Sequence, residues 1–339
     1  MGVPRRRQVS TVWHSLRVDH YLQFHQVATA RGFAADEIDA FARLLRFTIA
    51  ARPGRDGADV GRSTNPPTGP AADVVVGRAG GRPRLPADLP WPSSPGGLLL
   101  PFVATFDCAA LPRVAGLPLP VDGSLLVFLD HEVAAYEVDD HAKEQEYARI
   151  IHLPAGTPTV PAEVPENSPR TDPDRFLGSE HELYAVVQAS LPGWLDQDED
   201  DEPGLSDFQR QSARALPHRS GLCALVDELW PAVRSTEFQL GGYGWEVGEM
   251  AGHVYVTPEF LIAEANLRAR KKAGDLVVSS SKEENFLVEE ELQRVAGEWI
   301  PLIQFVTGRQ LYRGRFLIRV DDLAAGRLDR AVSWTAFTE

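Results

Sequence analysis

The chain has 339 residues, 43% of them hydrophobic and 24% charged, the balance of a globular protein with a substantial core. Its formal net charge of -14 argues against nucleic acid or an anionic membrane as the main partner, since either would repel such a surface, and turns expectation to a protein client, possibly basic. Two cysteines make no disulfide framework, and no stretch nears the roughly 20 apolar residues of a membrane span, so a cytoplasmic setting is expected.

Two amphipathic helices open the chain. Val18 to Ala30 sets Tyr21, Leu22, Phe24 and Val27 on one side; Asp36 then stands as an N-cap ahead of Ile38, Phe41, Leu44, Leu45 and Thr48 at helical spacing. From Arg52 to Asp73 the Pro- and Gly-rich composition is that of a linker. The next stretch is the most constrained: Gly80-Gly81-Arg82-Pro83-Arg84-Leu85-Pro86, then Trp91 between Pro90 and Pro92, then the apolar Leu98 to Asp107. Its prolines and glycines exclude a continuous helix and predict a rigid path between two strands, with Trp91 either a core plug or the wall of a groove. Gly123 to Asp130 reads as a strong strand, and Ala134 to Val138 and Tyr147 to Leu153 as further extended segments.

Pro154 to Arg175 carries six prolines and reads as a connector. Asp196 to Glu202 holds six acids in seven positions and reads as a solvated loop; its spacing fails a calcium loop, which needs glycine at the sixth place, here Asp201. Ser220 to Trp230 suits a helix, Phe238 to Leu240 a short strand, Gly241 to Gly248 a glycine-rich loop and Val254 to Val256 a strand. Thr257-Pro258-Glu259 is an N-cap, N1 and first-turn sequence for a helix running to about Lys272, with Gly274 beyond it. A helix over Glu284 to Val295 and two strands, Trp299 to Phe305 and Arg315 to Val320, finish the expected fold.

The halves echo one another. Leu100 to Ala104 resembles Ile300 to Gln304, and Gly123 to Asp130 resembles Gly314 to Asp321, in the same order. A mainly β (α+β) fold follows: a duplicated β-rich unit with pseudo-twofold symmetry plus N-terminal helices. The expected domains are residues 1–70, a helical extension and linker, and 71–339, with repeats at 71–155 and 215–339 joined by a connector at 156–214. A cleft between the copies is the natural binding location.

Reaction motifs are missing. His131-Glu132 has Ala135 where a zincin needs its second histidine, and Ser279 to Lys282 is a Ser-x-x-Lys without companions, read as a loop. Gly242, Gly244 and Gly248 miss the dinucleotide spacing, and neither cysteine has a CxxC partner. No catalytic residue, cofactor or metal site is expected.

The ordered set Gly80 to Pro86, Trp91-Pro92, Leu100 to Asp107 and Gly123 to Asp130 resembles the bacterial YwqG family, a domain of unknown function, over about residues 74–339. Leu240-Gly241-Gly242-Tyr243 is similar to that family's Leu-Gly-Tyr segment and Trp299 to Phe305 to its late strand, with Asp107 and Gln304 matching outright. The resemblance implies a duplicated β architecture and kinship with programmed-cell-death-2-like ribosomal-protein chaperones. The expected function is a non-catalytic, chaperone-like or adaptor module that binds a client polypeptide between the repeats, with Trp91, Asp107, Tyr243, Trp245 and Gln304 as candidate contacts. The alternatives are an immunity-type toxin inhibitor, or a small-molecule binder or enzyme built without a local motif.

Overall fold

Runs of apolar, β-branched and aromatic residues cut by glycine and proline become strands through residues 46–193 and 232–339 of the computed structural model. The structure describes residues 19–54, 74–136, 141–163, 180–196, 207–233, 236–245, 249–251, 254–306 and 312–337. The strands in chain order are β1 Arg46–Pro53, β2 Val75–Ala79, β3 Arg84–Leu85, β4 Phe102–Asp107, β5 Ser124–Leu129, β6 Ala148–Leu153 and β7 Val160–Pro161. They continue with β8 His181–Ser190, β9 Phe238–Gly241, β10 Glu249–Ala251, β11 Val254–Val256, β12 Trp299–Val306, β13 Tyr312–Arg319 and β14 Val332–Phe337. One antiparallel sheet of 10 strands runs β14-β13-β12-β9-β1-β8-β2-β4-β5-β6, while β10 pairs with β11 and β3 with β7.

That order is symmetric about its centre. β1 and β8 form the middle pair, from Arg46 opposite Ser190 to Pro53 opposite Leu183. Outward from β1 run β9, β12, β13 and β14; outward from β8 run β2, β4, β5 and β6. β1 precedes β2 in the chain yet pairs with β9, and β8 precedes β9 yet pairs with β2. Each repeat therefore has five strands in the large sheet and hands its first across the pseudo-twofold, as subunits do in a domain swap.

Three details fix which residues correspond. Gly80-Gly81 after β2 and Gly241-Gly242 at the end of β9 all take φ between 69 and 77°. The register shifts by one residue at Val103 in β4 and again at Leu302 in β12. Arg78 pairs with Thr105 as Gln239 pairs with Gln304. Thr105 thus corresponds to Gln304 and, one strand on, Leu126 to Arg315. The sequence echo, which sets Ala104 against Gln304 and Gly123 against Gly314, is one residue out of this register in the first strand and two in the second. A one-residue slip exchanges the faces of a strand, so the echo finds the duplication but not its geometry.

The sheet curls until it nearly closes. Three strands separate β4 from β9, which in a flat sheet would put them about 19 Å apart, yet the rings of Phe106 and Phe238 lie 5.5 Å apart. Phe305 meets the other side of Phe238 at 5.6 Å, and Gly314 of β13 lies beside Leu129 of β5. These fully buried phenylalanines fill the inner face and contribute about 2 kcal/mol each through removal from water. At the seam, side chains occupy the open edge of β14. The Gln145 amide accepts from Ser333 N at 2.6 Å and donates to Ser333 O at 2.9 Å, while the buried Glu144 accepts from Thr335 N at 3.2 Å. An edge occupied in this way is closed to pairing with another chain.

Residues 1–45 and 194–231 form a second compact unit, which is helical in its described part. Asp19 caps the helix His20–Ala30 by accepting from Tyr21 N and Leu22 N at 3.1 and 3.2 Å. Phe24 stacks on Phe41 of the helix Ala35–Ala42 at 5.4 Å. Glu37, buried, accepts from His218 N at 2.6 Å just ahead of the helix Arg219–Leu229.

The local readings fail where the period misleads. Thr48 belongs to β1, not to the second helix, whose N-cap is Ala34 and not Asp36. Ala134 lies in the helix His131–Tyr136 instead of an extended segment, and Ser280 caps the helix Ser281–Glu298 where a loop was expected. β8 and β14 were not anticipated at all. Residues 55–73 of the expected linker and 197–202 of the acidic run lie outside the described residues.

Both cysteines are buried. Burial, helped by Asp107 and Asp122 and opposed by Arg113, pushes the Cys108 thiol up to about 11. At pH 8 the thiolate is then a minor species in a site closed to reagents. Iodoacetamide is expected to leave Cys108 unmodified in native buffer and to alkylate it fully in urea; peptide mass mapping of the two samples reads the difference, and rapid native labelling at Cys108 would refute it.

Candidate functional site

Because side chains alternate along a strand, each repeat presents one row of residues on the outer face of the curled sheet. In the first repeat the row is Arg78, Thr105, Leu126 and Ile151; in the second it is Gln239, Gln304, Arg315 and Trp334. Half of the first row is apolar: Leu126 is buried and Ile151 half-buried, while Arg78 and Thr105 are half-buried and Arg78 pairs with Glu180. Leu126 and Phe128 pack in one buried cluster with Leu85, Trp91, Leu99 and Leu100, and the Trp91 indole donates to Leu100 O at 2.8 Å.

The second row is polar, and the loop after β9 is bonded down onto it. Gln304, 1% exposed, accepts from Trp245 N and donates to Tyr243 O, both at 2.9 Å. Gln239 beside it donates to Gly241 O and Tyr243 O at 3.2 Å and accepts from the Trp245 indole at 2.8 Å. The glycines let the loop take this path: a Cβ at Gly242 would stand 2.8 Å from Ser190 Oγ and 3.0 Å from the Thr48 side chain. Tyr243 N donates to Ser190 Oγ at 2.9 Å, and Arg46 lies over the Tyr243 ring at 4.2 Å.

Next along the row, Arg315 is 4% exposed. It donates to Trp245 O, meets Glu259 at 3.5 Å near the start of the helix Pro258–Ala273, and lies 5.9 Å over the Trp334 ring. Burial lowers its hold on its proton, with Arg313 adding to that and Glu259 opposing it. Arg313, half-buried, lies 5.8 Å over the Trp245 ring. Each of these arginine–aromatic contacts is worth about 0.5–2 kcal/mol.

Of the residues singled out by sequence, Tyr243, Trp245 and Gln304 come together here. Trp91 sits in the first repeat's apolar cluster, and Asp107, exposed, accepts from Ala109 N at 2.9 Å to close the turn after β4. Sequence reasoning missed Gln239, Arg315, Trp334, Arg313 and Arg46. The alternation Arg313-Gly314-Arg315-Phe316 was a usable signal, since period two puts both arginines on one face. Arg46 and Trp334 gave none, because β1 and β14 were not recognised as strands. Among the described residues, no three His, Cys, Asp or Glu side chains are grouped as metal donors.

A family model described as Domain of unknown function (DUF1963) matches residues 77–335. The match begins within β2, so it takes in both Gly-Gly loops and both outer rows and omits β1. No curated protein matches the chain.

Proposed function

We propose, from the premise that this chain belongs to the DUF1963 family, that it is a non-catalytic protein-binding module whose client docks on the outer face of the second repeat. The observation that carries this reading is the asymmetry between two equivalent surfaces. In the first repeat the buried part of the row is apolar, with Leu126 packed in the Trp91 cluster. The second instead keeps two buried glutamines, a buried arginine and half-exposed Tyr243, Trp245, Arg46 and Arg313. Tyr, Trp and Arg are the residue types that dominate binding energy at protein interfaces. The resemblance to the YwqG family and, through it, to programmed-cell-death-2-like chaperones agrees with an adaptor or client-binding role.

The test is a photo-crosslinking amino acid in place of Tyr243, irradiated in the source cell, with the exposed Val277 as the control position. One polypeptide joined at 243 and not at 277 is expected. If 243 yields no adduct above 277, client docking at this loop is refuted; an adduct with a single toxin would instead favour the inhibitor reading.

A further inference from the structure

We infer that the outer face of the second repeat holds a carboxylate-binding site, formed by Arg313, Arg315 and the Trp334 indole, which receives an acidic side chain of the client. Three observations carry this beyond the docking reading on which it rests. First, the groups left without partners are hydrogen-bond donors: the buried Nε of Arg313 and the buried indole Nε1 of Trp334 meet no acceptor among the described residues. Trp334 is 7% exposed, and an indole N–H can only donate, so an arriving acceptor is the group that this donor can take. Second, the three side chains share one face in adjacent register: Arg315 is opposite Trp334, and Arg313 is opposite Ala336, two residues along. Third, the local charge is inverted relative to the chain. Among the described residues one carboxylate pairs with these two arginines, Glu259, which lies 3.5 Å from Arg315 and is beyond direct hydrogen bonding.

Among these described side chains the balance of two guanidinium charges against one carboxylate is a single positive charge. That matches a monoanionic carboxylate better than a dianionic phosphate, and arginine forks bind carboxylates in two-point fashion. A protein of net charge -14 repels acidic partners at long range, so the site acts at contact and confers specificity within an otherwise repelling surface. Access runs past Trp245, whose ring is half-exposed and packs against the Trp334 cluster beneath Arg313.

The probe is N-acetyl-hexaglutamate amide, titrated against the full chain labelled with nitrogen-15, with Trp334→Phe used to assign the Trp334 indole signal. The expected result is a saturable downfield movement of that indole proton with hexaglutamate and none with hexalysine. Arg313→Gln, at a half-exposed position, is expected to weaken binding about tenfold, the usual scale for one charge-assisted hydrogen bond. Acetate and inorganic phosphate are run in parallel. No movement with any anion, or equal affinity in Arg313→Gln, overturns the site. Acetate binding as tightly as the peptide assigns it to free small carboxylates and overturns the client assignment, as tighter binding of phosphate overturns the carboxylate one. The crosslink at position 243 reads docking independently, so a crosslinked client with a silent Trp334 signal refutes the carboxylate site alone.

Discussion

Replacing Gln304 by alanine is expected to lower stability by about 2–4 kcal/mol and to free the loop after β9. The side chain is 1% exposed and serves a donor and an acceptor of the main chain, Trp245 N and Tyr243 O, at 2.9 Å each. A truncated residue cannot replace either bond, and each buried main-chain group left unpaired costs about 1–3 kcal/mol. Gln239 still bonds Tyr243 O at 3.2 Å, so the carbonyl keeps one partner and the upper end of the simple sum is not reached. The control is Thr105→Ala at the corresponding half-buried position of the first repeat, for which a loss below about 1 kcal/mol is expected. Urea unfolding followed by circular dichroism gives both numbers. Equal losses would show that the two outer faces are energetically alike and would remove the asymmetry on which the functional proposal stands.

The other large effect belongs to Gly123. It and Gly116, both between β4 and β5, have nearly the same backbone conformation, φ of 84 and 81°. At Gly116 an added Cβ meets nothing within 4 Å. At Gly123 it runs into the carbonyl oxygen of Leu153 and stands 3.2 Å from Ala155 N, both main-chain atoms that cannot swing aside, and 2.7 Å from the His152 ring. Gly116→Ala therefore costs the left-handed strain alone, about 1 kcal/mol. Gly123→Ala adds displacement of the turn after β6 and is expected to lose at least about 3 kcal/mol. Thermal and urea unfolding of the pair isolate the clash from the strain, because φ is shared. A difference under about 1 kcal/mol between the two would mean that the segment after β6 yields freely.

The candidate site was legible where local chemistry dictated it. The glycine-rich loop after Leu240 was read from its residues, because glycines at that density exclude regular structure, whereas Leu240-Gly241-Gly242-Tyr243 and Gln304 were singled out through the resemblance to the YwqG family. Trp91 and Trp245 show where such reading stops. Both follow a Gly-Gly pair and cover an outer sheet face, yet one donates within an apolar cluster and the other is held by two glutamines. Their immediate sequences do not contain that difference. It is set by Leu126 in one repeat and by Gln239 and Gln304 in the other, residues that reach the site through cross-strand register.

The sequence by itself determined what short-range physics decides: most strands, the Thr257 and Gly274 caps of the helix Pro258–Ala273, the positive-φ turns, and the existence of a duplication. Tertiary structure alone decided the exchange of β1 and β8 across the twofold. β1, Arg46–Pro53, is a central strand buried for most of its length, so it lacks the alternation that marks a half-exposed strand, and Ala50-Ala51 favours a helix in isolation. Only pairing with β8 on one side and β9 on the other satisfies its backbone and makes it a strand. The pairing of β1 with β9 brings Arg46 to Tyr243, as that of β13 with β14 brings Arg315 to Trp334, and together they assemble the surface proposed to bind.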